Sequence, residues 1–310
     1  MRKIWQTLIK IGISILLLWI VFMRTEISQV YSVISKSNVT LLILALALSF
    51  IAFIFDVLKW KVILASYKLK MGIAKLYKLR LIGAAVNLFF PGFLAGDITR
   101  GFLLAKHNKK TNDSMATIFV DRILSIMILL GLSSVIGLTL YAKMPKTFLL
   151  APLFFFVLGT LVIMFRNYII DIIQKINKKI KSKLIKKLIK LLQAISSVRF
   201  NSKSFLIIII FTLLFQSLLA LTVYVINLSI GQTVSIMIFL YLVPMINIIK
   251  AIPISIAGIG VQENLYVLFL GLYGVGIDAA LSISLLFLAT TIIQGLVGGI
   301  LYLTNHPAKE

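Results

Sequence analysis

Long apolar runs separated by short polar or basic stretches set the pattern of this chain. Runs of hydrophobic residues recur at 7–23, 39–58, 114–141, 147–165, 204–228, 234–250, 254–273 and 279–303. A helix rises about 1.5 Å per residue, so roughly 17–25 apolar residues cross a hydrocarbon core about 30 Å thick. The pattern predicts an all-α polytopic membrane protein with about eight transmembrane helices. The first run follows Met1-Arg2-Lys3, as in a signal peptide, but it ends in Phe22-Met23-Arg24 without a small-residue cleavage site. A retained anchor is the better reading. No gap between runs suits a soluble domain, so residues 1–310 are expected to form a single integral membrane domain.

Composition sharpens this reading. The chain is 60% hydrophobic and 13% charged, whereas soluble domains sit near 45–50% apolar and about 25% charged. A soluble enzyme, a disordered chain and a coiled coil are excluded. There is no Cys and there are only 2 His, which removes disulfide scaffolds, thiolate nucleophiles and Cys-based metal sites. The 32 Lys+Arg against 9 Asp+Glu give a net charge of +23. Such a charge can signal nucleic acid, but here the bases lie between the apolar runs, and no nucleic-acid partner is expected.

Their placement orients the chain. Seven bases and no acid fall between Lys59 and Arg80, and eleven bases with Asp171 alone between Arg166 and Lys203. The connections 24–38, 142–146, 229–233 and 274–278 are nearly neutral. Positively charged loops stay inside, which places both termini on the cytoplasmic side of a cell membrane. The stretch 166–203 lacks Gly and Pro, and its apolar residues (Ile169, Ile172, Ile173, Ile176 and onward to Val198) recur every three or four positions. Lys175, Lys179, Lys183, Lys186, Lys187 and Lys190 take the other face. That is a basic amphipathic helix for the cytoplasmic interface, where anionic lipid adds about 1 kcal/mol per nearby Lys. A solvated basic linker is the plainer alternative.

Ionisable groups inside a membrane are costly and usually mark a pathway or a site. Glu26, Asp113, Asp171, Asp278 and Glu310 fall in loops or at the ends, and Asp56, near a span end, is expected to snorkel or to pair with Lys59. Asp97, Asp121 and Glu263 lie in apolar surroundings, as do Arg100, Arg122 and Lys250. Three acids and three bases inside the membrane point to pairing in a buried polar cavity. The acids would counter the bases or carry a coupled proton.

Two segments look broken. In Asn87-Leu-Phe-Phe-Pro91-Gly92-Phe-Leu-Ala-Gly96-Asp97-Ile-Thr-Arg100, Pro91 removes a backbone donor while Gly92 and Gly96 permit bends. The flanking apolar pieces are each too short to span, and basic residues lie on both sides. The segment therefore reads as a re-entrant hairpin entering from the cytoplasm, its broken backbone buried in protein or lining a cavity. The helix after the break is expected to start near Asp97 and to offer free N–H groups to an anion. Capping by Asp97 is the structural alternative. Pro253-Ile-Ser-Ile-Ala-Gly258-Ile-Gly260-Val-Gln-Glu263 repeats the Pro-x4-Gly spacing and again leads to an acid. Paired breaks in two halves are the best sequence pointer to a transporter's midplane site and to an inverted repeat. A Pro-kinked helix would also fit the second one, and 234–273 could either cross or dip in from outside.

Ser114, Thr117, Asp121 and Ser125 share one helix face, with Arg122 beside it. Thr290, Thr291, Gln294 and Gly298 make a polar stripe on the last run, where Gly295-x-x-x-Gly299 reads as close helix packing. There is no Gly-x4-Gly-Lys-[Ser/Thr] loop, and Gly258-x-Gly260 and Gly274-x-Gly276 lack the third glycine of a dinucleotide fingerprint. His107 and His306 have no ligand-spaced partner. No cofactor, metal or catalytic residue is expected.

Three blocks together carry a resemblance: Asn87…Pro91…Gly96-Asp97-x-x-Arg100, Asp121-Arg122, and Pro253-x-Ser255-x-x-Gly258-x-Gly260-x-x-Glu263. Over nearly its whole length the chain resembles the flippase-like transmembrane domain of the lysylphosphatidylglycerol synthase family. The family usually has Gly-Gly-Asp where this chain has Ala95-Gly96-Asp97. In full-length bacterial relatives this domain precedes a soluble aminoacyl transferase, which is expected to be missing here. The resemblance implies a flippase or transporter for an anionic phospholipid or polyprenyl-phosphate-linked lipid, and no enzyme. Arg100, Arg122, Lys250 and Asn87 are the candidate headgroup ligands. The alternative is the membrane component of a phosphatidylglycerol lysyltransferase system, working with a separate lipid-synthesising enzyme. A third possibility is a scaffold acting through the Lys-rich helix.

Overall fold

A computed structural model describes residues 2–23, 25–89, 95–140, 144–180, 200–251 and 258–304. Among them lie twelve helices and no strand, so the expected all-α class is the observed one. In chain order these are α1 (Arg2–Phe22), α2 (Ile27–Ser35), α3 (Val39–Ser66), α4 (Ile73–Phe89), α5 (Ala95–Asn108) and α6 (Thr111–Thr139). They continue with α7 (Lys146–Met164), α8 (Arg166–Ile180), α9 (Ser202–Ser229), α10 (Ile236–Lys250), α11 (Val261–Gly271) and α12 (Ile277–Leu303). Pro91, Gly92 and Pro253, the residues expected to break two helices, lie outside the described residues, as do 181–199 of the basic segment.

Among the described residues, α3, α6, α7, α9 and α12 are long and apolar enough to cross a membrane. A sixth crossing is available if Gly12–Phe22 and Ile27–Ser35, bent by 82°, act together. The expectation of about eight full spans counted hydropathy alone. Residues 234–273 hold α10 of 15 residues and α11 of 11. Those helices rise only about 22 and 16 Å, short of an apolar core about 30 Å thick. Gly258 and Gly260 interrupt them with φ of +79° and +82°, a left-handed backbone that L side chains avoid. The first break differs in the opposite direction. Its legs α4 and α5 have 17 and 14 residues, more than the short apolar pieces suggested, because the helix runs through Lys75, Lys78 and Arg80.

Packing follows from small residues. On α3, Ala45, Ser49, Ala52, Asp56, Trp60 and Ile63 recur at helical spacing and are buried, so α9 lies close along that face. Helix α4 is held between α5 and α12. A Cβ on Gly96 would run into the Gly83 carbonyl, and one on Gly298 into the Leu81 carbonyl. A Cβ on Gly295 would meet the Leu88 side chain, whereas one on Gly299 would meet nothing. Close packing therefore uses Gly295 and Gly298, three apart, rather than the 295/299 pair, because Gly299 turns away from α4. Helix α7 buries only Pro152 and presents Phe154 and Phe155 outward.

Candidate functional site

A cavity of about 530 Å³ opens among α3, α4, α5, α6, α9, α10 and α12. One wall is a network of seven charged side chains from four helices. On α3, Asp56 and Lys59 stand one turn apart and pair at 2.9 Å. Lys59 Nζ also meets Asp121 on α6 at 2.9 Å and donates to Ser125 Oγ at 2.9 Å. The Asp56 carboxylate accepts from Arg80 Nε of α4 at 2.6 Å and lies 3.7 Å from Arg100. Arg100 pairs with Asp97, one turn before it on α5, at 2.6 Å, and reaches Asp121 at 3.9 Å. Arg122 of α6 closes the ring by pairing with the second Asp97 oxygen. Trp60 lies under the Arg100 guanidinium at 4.9 Å and Phe53 under that of Arg80 at 3.9 Å.

Burial makes this pairing obligatory. Asp56, Lys59, Asp97, Arg100 and Asp121 are each at most 7% exposed. A lone charge so placed would cost several kcal/mol, and a network with good geometry offsets that. The Arg122 side chain, 25% exposed, is the network's most accessible guanidinium. Lys250 lines the same cavity from α10 and donates to Gln262 Oε1 at 2.7 Å. Counted around the cavity, Lys59, Arg80, Arg100, Arg122 and Lys250 face Asp56, Asp97 and Asp121, five cations to three carboxylates.

The first break is shaped by its own side chains. Asp97 is the third residue of α5, and its oxygens go to Arg100 and Arg122. The Gly96 N–H is instead accepted by Asn87 Oδ1 at 2.7 Å, so α4 caps α5 across the break. Asn87 lines the cavity, but this carbonyl oxygen is already engaged. At the second break Glu263 is the third residue of α11, and its Oε2 accepts from Gly260 N at 2.6 Å. Its other oxygen accepts from Ser284 Oγ at 3.4 Å. Glu263 is 1% exposed and does not line the cavity. Gln262 links it to Lys250 through Ser284, and counting Glu263 with the wider group lowers the cationic surplus to one.

The structure thus gathers Asp97, Arg100, Asp121, Arg122, Lys250 and Asn87 around one cavity and places Glu263 behind its wall. Gly96 sits at the α4–α5 contact, Gly258 against the Lys250 side chain and Gly260 against α1. Sequence reasoning missed Asp56, Lys59 and Arg80 as members. Asp56 does pair with Lys59, one of the two expected outcomes, and it also meets Arg80 and Arg100. The available signal was the i,i+3 spacing of Asp56 and Lys59 inside an unbroken apolar helix. Assigning all seven bases of 59–80 to a loop concealed it. Ser114, Thr117, Asp121 and Ser125 do share the inward face of α6, where Thr117 accepts from Trp60 Nε1 at 3.3 Å.

Comparison with known proteins gives a family and two relatives. The family described as "Lysylphosphatidylglycerol synthase TM region" matches residues 7–299. A UPF0104 membrane protein of Methanocaldococcus jannaschii is 28% identical over 210 residues, 65% of this chain and 86% of that protein. A UPF0104 membrane protein of Methanothermobacter thermautotrophicus is 25% identical over 127 residues, 40% of this chain and 38% of that one. No solved structure matches.

Proposed function

The chain belongs to the lysylphosphatidylglycerol synthase transmembrane-region family, and we propose that its cavity carries the headgroup of an anionic lipid across the membrane. Membership ties the protein to membrane-lipid chemistry. The step from there to transport rests on one observation, the surplus of cations over carboxylates on the cavity wall. A phosphodiester brings one negative charge and acceptor oxygens that match guanidinium forks. Arg122 is the entry contact, with Arg100 and Lys250 completing the phosphate site. Asp56, Asp97 and Asp121 hold the two arginines, and Gln262 holds Lys250, when no lipid is bound, so the site keeps its shape between cycles. Phe53, Phe215, Leu129 and Leu219 line the rest of the cavity and suit the apolar portion of the lipid.

Transbilayer movement tests it. Purified protein in vesicles holding headgroup-labelled phosphatidylglycerol is expected to speed loss of label from one leaflet, and Arg122→Gln is expected to remove most of that acceleration. Vesicles in which the protein leaves the rate at the protein-free value overturn the reading. Formation of aminoacylated lipid on adding charged tRNA would replace it with the transferase alternative.

A further inference from the structure

A second cavity, of about 450 Å³, lies between α6 and α7 and shares no lining residue with the charged one. On α6, Gly131, Ser134, Val135 and Leu138 line it, three or four apart and so on one face. Leu149, Leu153 and Phe156 do the same on α7. The two stripes meet at Gly131 against the Phe156 ring and at Gly137 against Leu149, and between those contacts the small Ser134 leaves a groove. Ser134 Oγ donates to Leu130 O at 2.7 Å, so its proton stays on its own helix. The lip of the groove is open, since Val135, Leu138 and Leu150 are exposed.

Both helices are long and apolar enough to cross a membrane, so the open lip faces hydrocarbon. From Lys146 to Phe156, α7 rises about 15 Å, half of a hydrocarbon core about 30 Å thick. The groove is therefore one leaflet deep, the length of one acyl chain. Its floor is the Phe156 ring, and its other end carries Lys146, the one charged residue among the described residues that line it. Lys146 is the first residue of α7 and is exposed. Its stem can lie along the groove while the ammonium stands at headgroup level. An apolar slot one chain deep, ending in a cation that no lining carboxylate offsets, has the outline of a phospholipid.

We propose that the α6–α7 groove holds one anionic phospholipid of the surrounding bilayer, with an acyl chain between the helices and its phosphate at Lys146. This lipid is resident, and the site stands whether or not the charged cavity carries lipid. Its task is to brace α7, a helix that buries only Pro152. Pro152 has no N–H, which leaves the Phe148 carbonyl free, and Tyr241 of α10 donates to that oxygen at 2.5 Å. The Tyr241 ring also lies against Gly137, beside Leu149 of the groove wall. A chain in the groove thus fills the space that keeps α7 on α6 and its tie to α10 in place.

The test is photolabelling of the full-length protein in phosphatidylcholine vesicles. These hold a trace of phosphatidylglycerol, or of phosphatidylcholine, with a diazirine in the lower half of one acyl chain. Adducts are assigned by residue, and Phe154 and Phe155, exposed on α7 and outside the groove, report ordinary surrounding lipid. In the wild type, Leu149, Leu153 and Phe156 are expected to take about fivefold more label from phosphatidylglycerol than from phosphatidylcholine, the worth of one lysine beside an anionic lipid. Phe154 and Phe155 are expected to show no such preference. Lys146→Gln is expected to remove the preference, and Ser134→Leu, which puts a side chain into the groove, to remove most of the groove label itself. Arg122→Gln/Lys250→Gln is expected to change neither, which separates this site from the transported lipid. Equal labelling of groove and reference residues by both lipids, or a preference that survives Lys146→Gln, overturns the site. Groove residues left unlabelled while Phe154 and Phe155 carry adducts would mean that protein covers the groove, and would overturn it as well.

Discussion

The two breaks look alike along the chain and are used differently in space. Each has an acidic residue at the third position of the helix that follows, Asp97 in α5 and Glu263 in α11. Glu263 is long enough to fold back on its own helix and cap Gly260, the reach a capping box exploits. Asp97 is one methylene shorter, and its carboxylate goes to Arg100 and Arg122. The cap it does not supply comes from Asn87 on the preceding helix. The first break thus contributes charge to the cavity, and the second uses its charge to hold its own turn. Side-chain reach, rather than charge or spacing, separates a site residue from a structural one here.

Substitutions can break or sharpen that contrast. The largest effect is expected for Asp97→Asn, which leaves Arg100 and Arg122 without the carboxylate they share. Breaking a buried pair costs about 3–5 kcal/mol, to be seen as a steep fall in the thermal midpoint of the detergent-solubilised protein. Next comes Gly96→Ala, whose methyl is driven into the Gly83 carbonyl. Backbone must move there, and a loss of about 1–3 kcal/mol is expected in the same measurement. Glu263→Gln is expected to cost no more than about 1 kcal/mol, since the amide oxygen still accepts from Gly260 N–H. A loss as large as that of Asp97→Asn would mean that Glu263 belongs to the charge network after all. Gly299→Ala, with open space around it, is expected to stay within about 0.5 kcal/mol.

Much of the site was legible because intramembrane charge is rare enough to stand out. Asp97, Arg100, Asp121 and Arg122 could be picked from their apolar surroundings, and the face shared by Ser114, Thr117, Asp121 and Ser125 followed from helical spacing. The pairing of Asp56 with Lys59 was legible, but the place of Lys59 in the cavity wall and the inward turn of Arg80 were not. Seven bases without an acid look like one cytoplasmic loop, and charge counting cannot tell that the first and last of them turn into the bundle to meet Asp56. The capping role of Asn87 was hidden too, because it depends on a helix reversal that brings residue 87 to the N-terminus of α5. Helix length at 254–273 failed for a related reason. The Gly258 and Gly260 break was read from sequence, but hydropathy alone could not show that α11 starts only after their left-handed backbone, at Val261.

Binding of a lipid phosphate depends on the surplus of positive charge around the cavity, and Arg122 with Lys250 can be neutralised while Lys59, Arg80 and Arg100 still hold the three carboxylates. The direct measurement is the affinity of the full-length Arg122→Gln/Lys250→Gln protein for phosphatidylglycerol and for zwitterionic phosphatidylcholine, beside the wild type. A preference for the anionic lipid of at least about tenfold in the wild type, lost in the folded double variant, is the predicted result. An equal preference in both proteins would contradict the claim that this cavity holds a lipid phosphate.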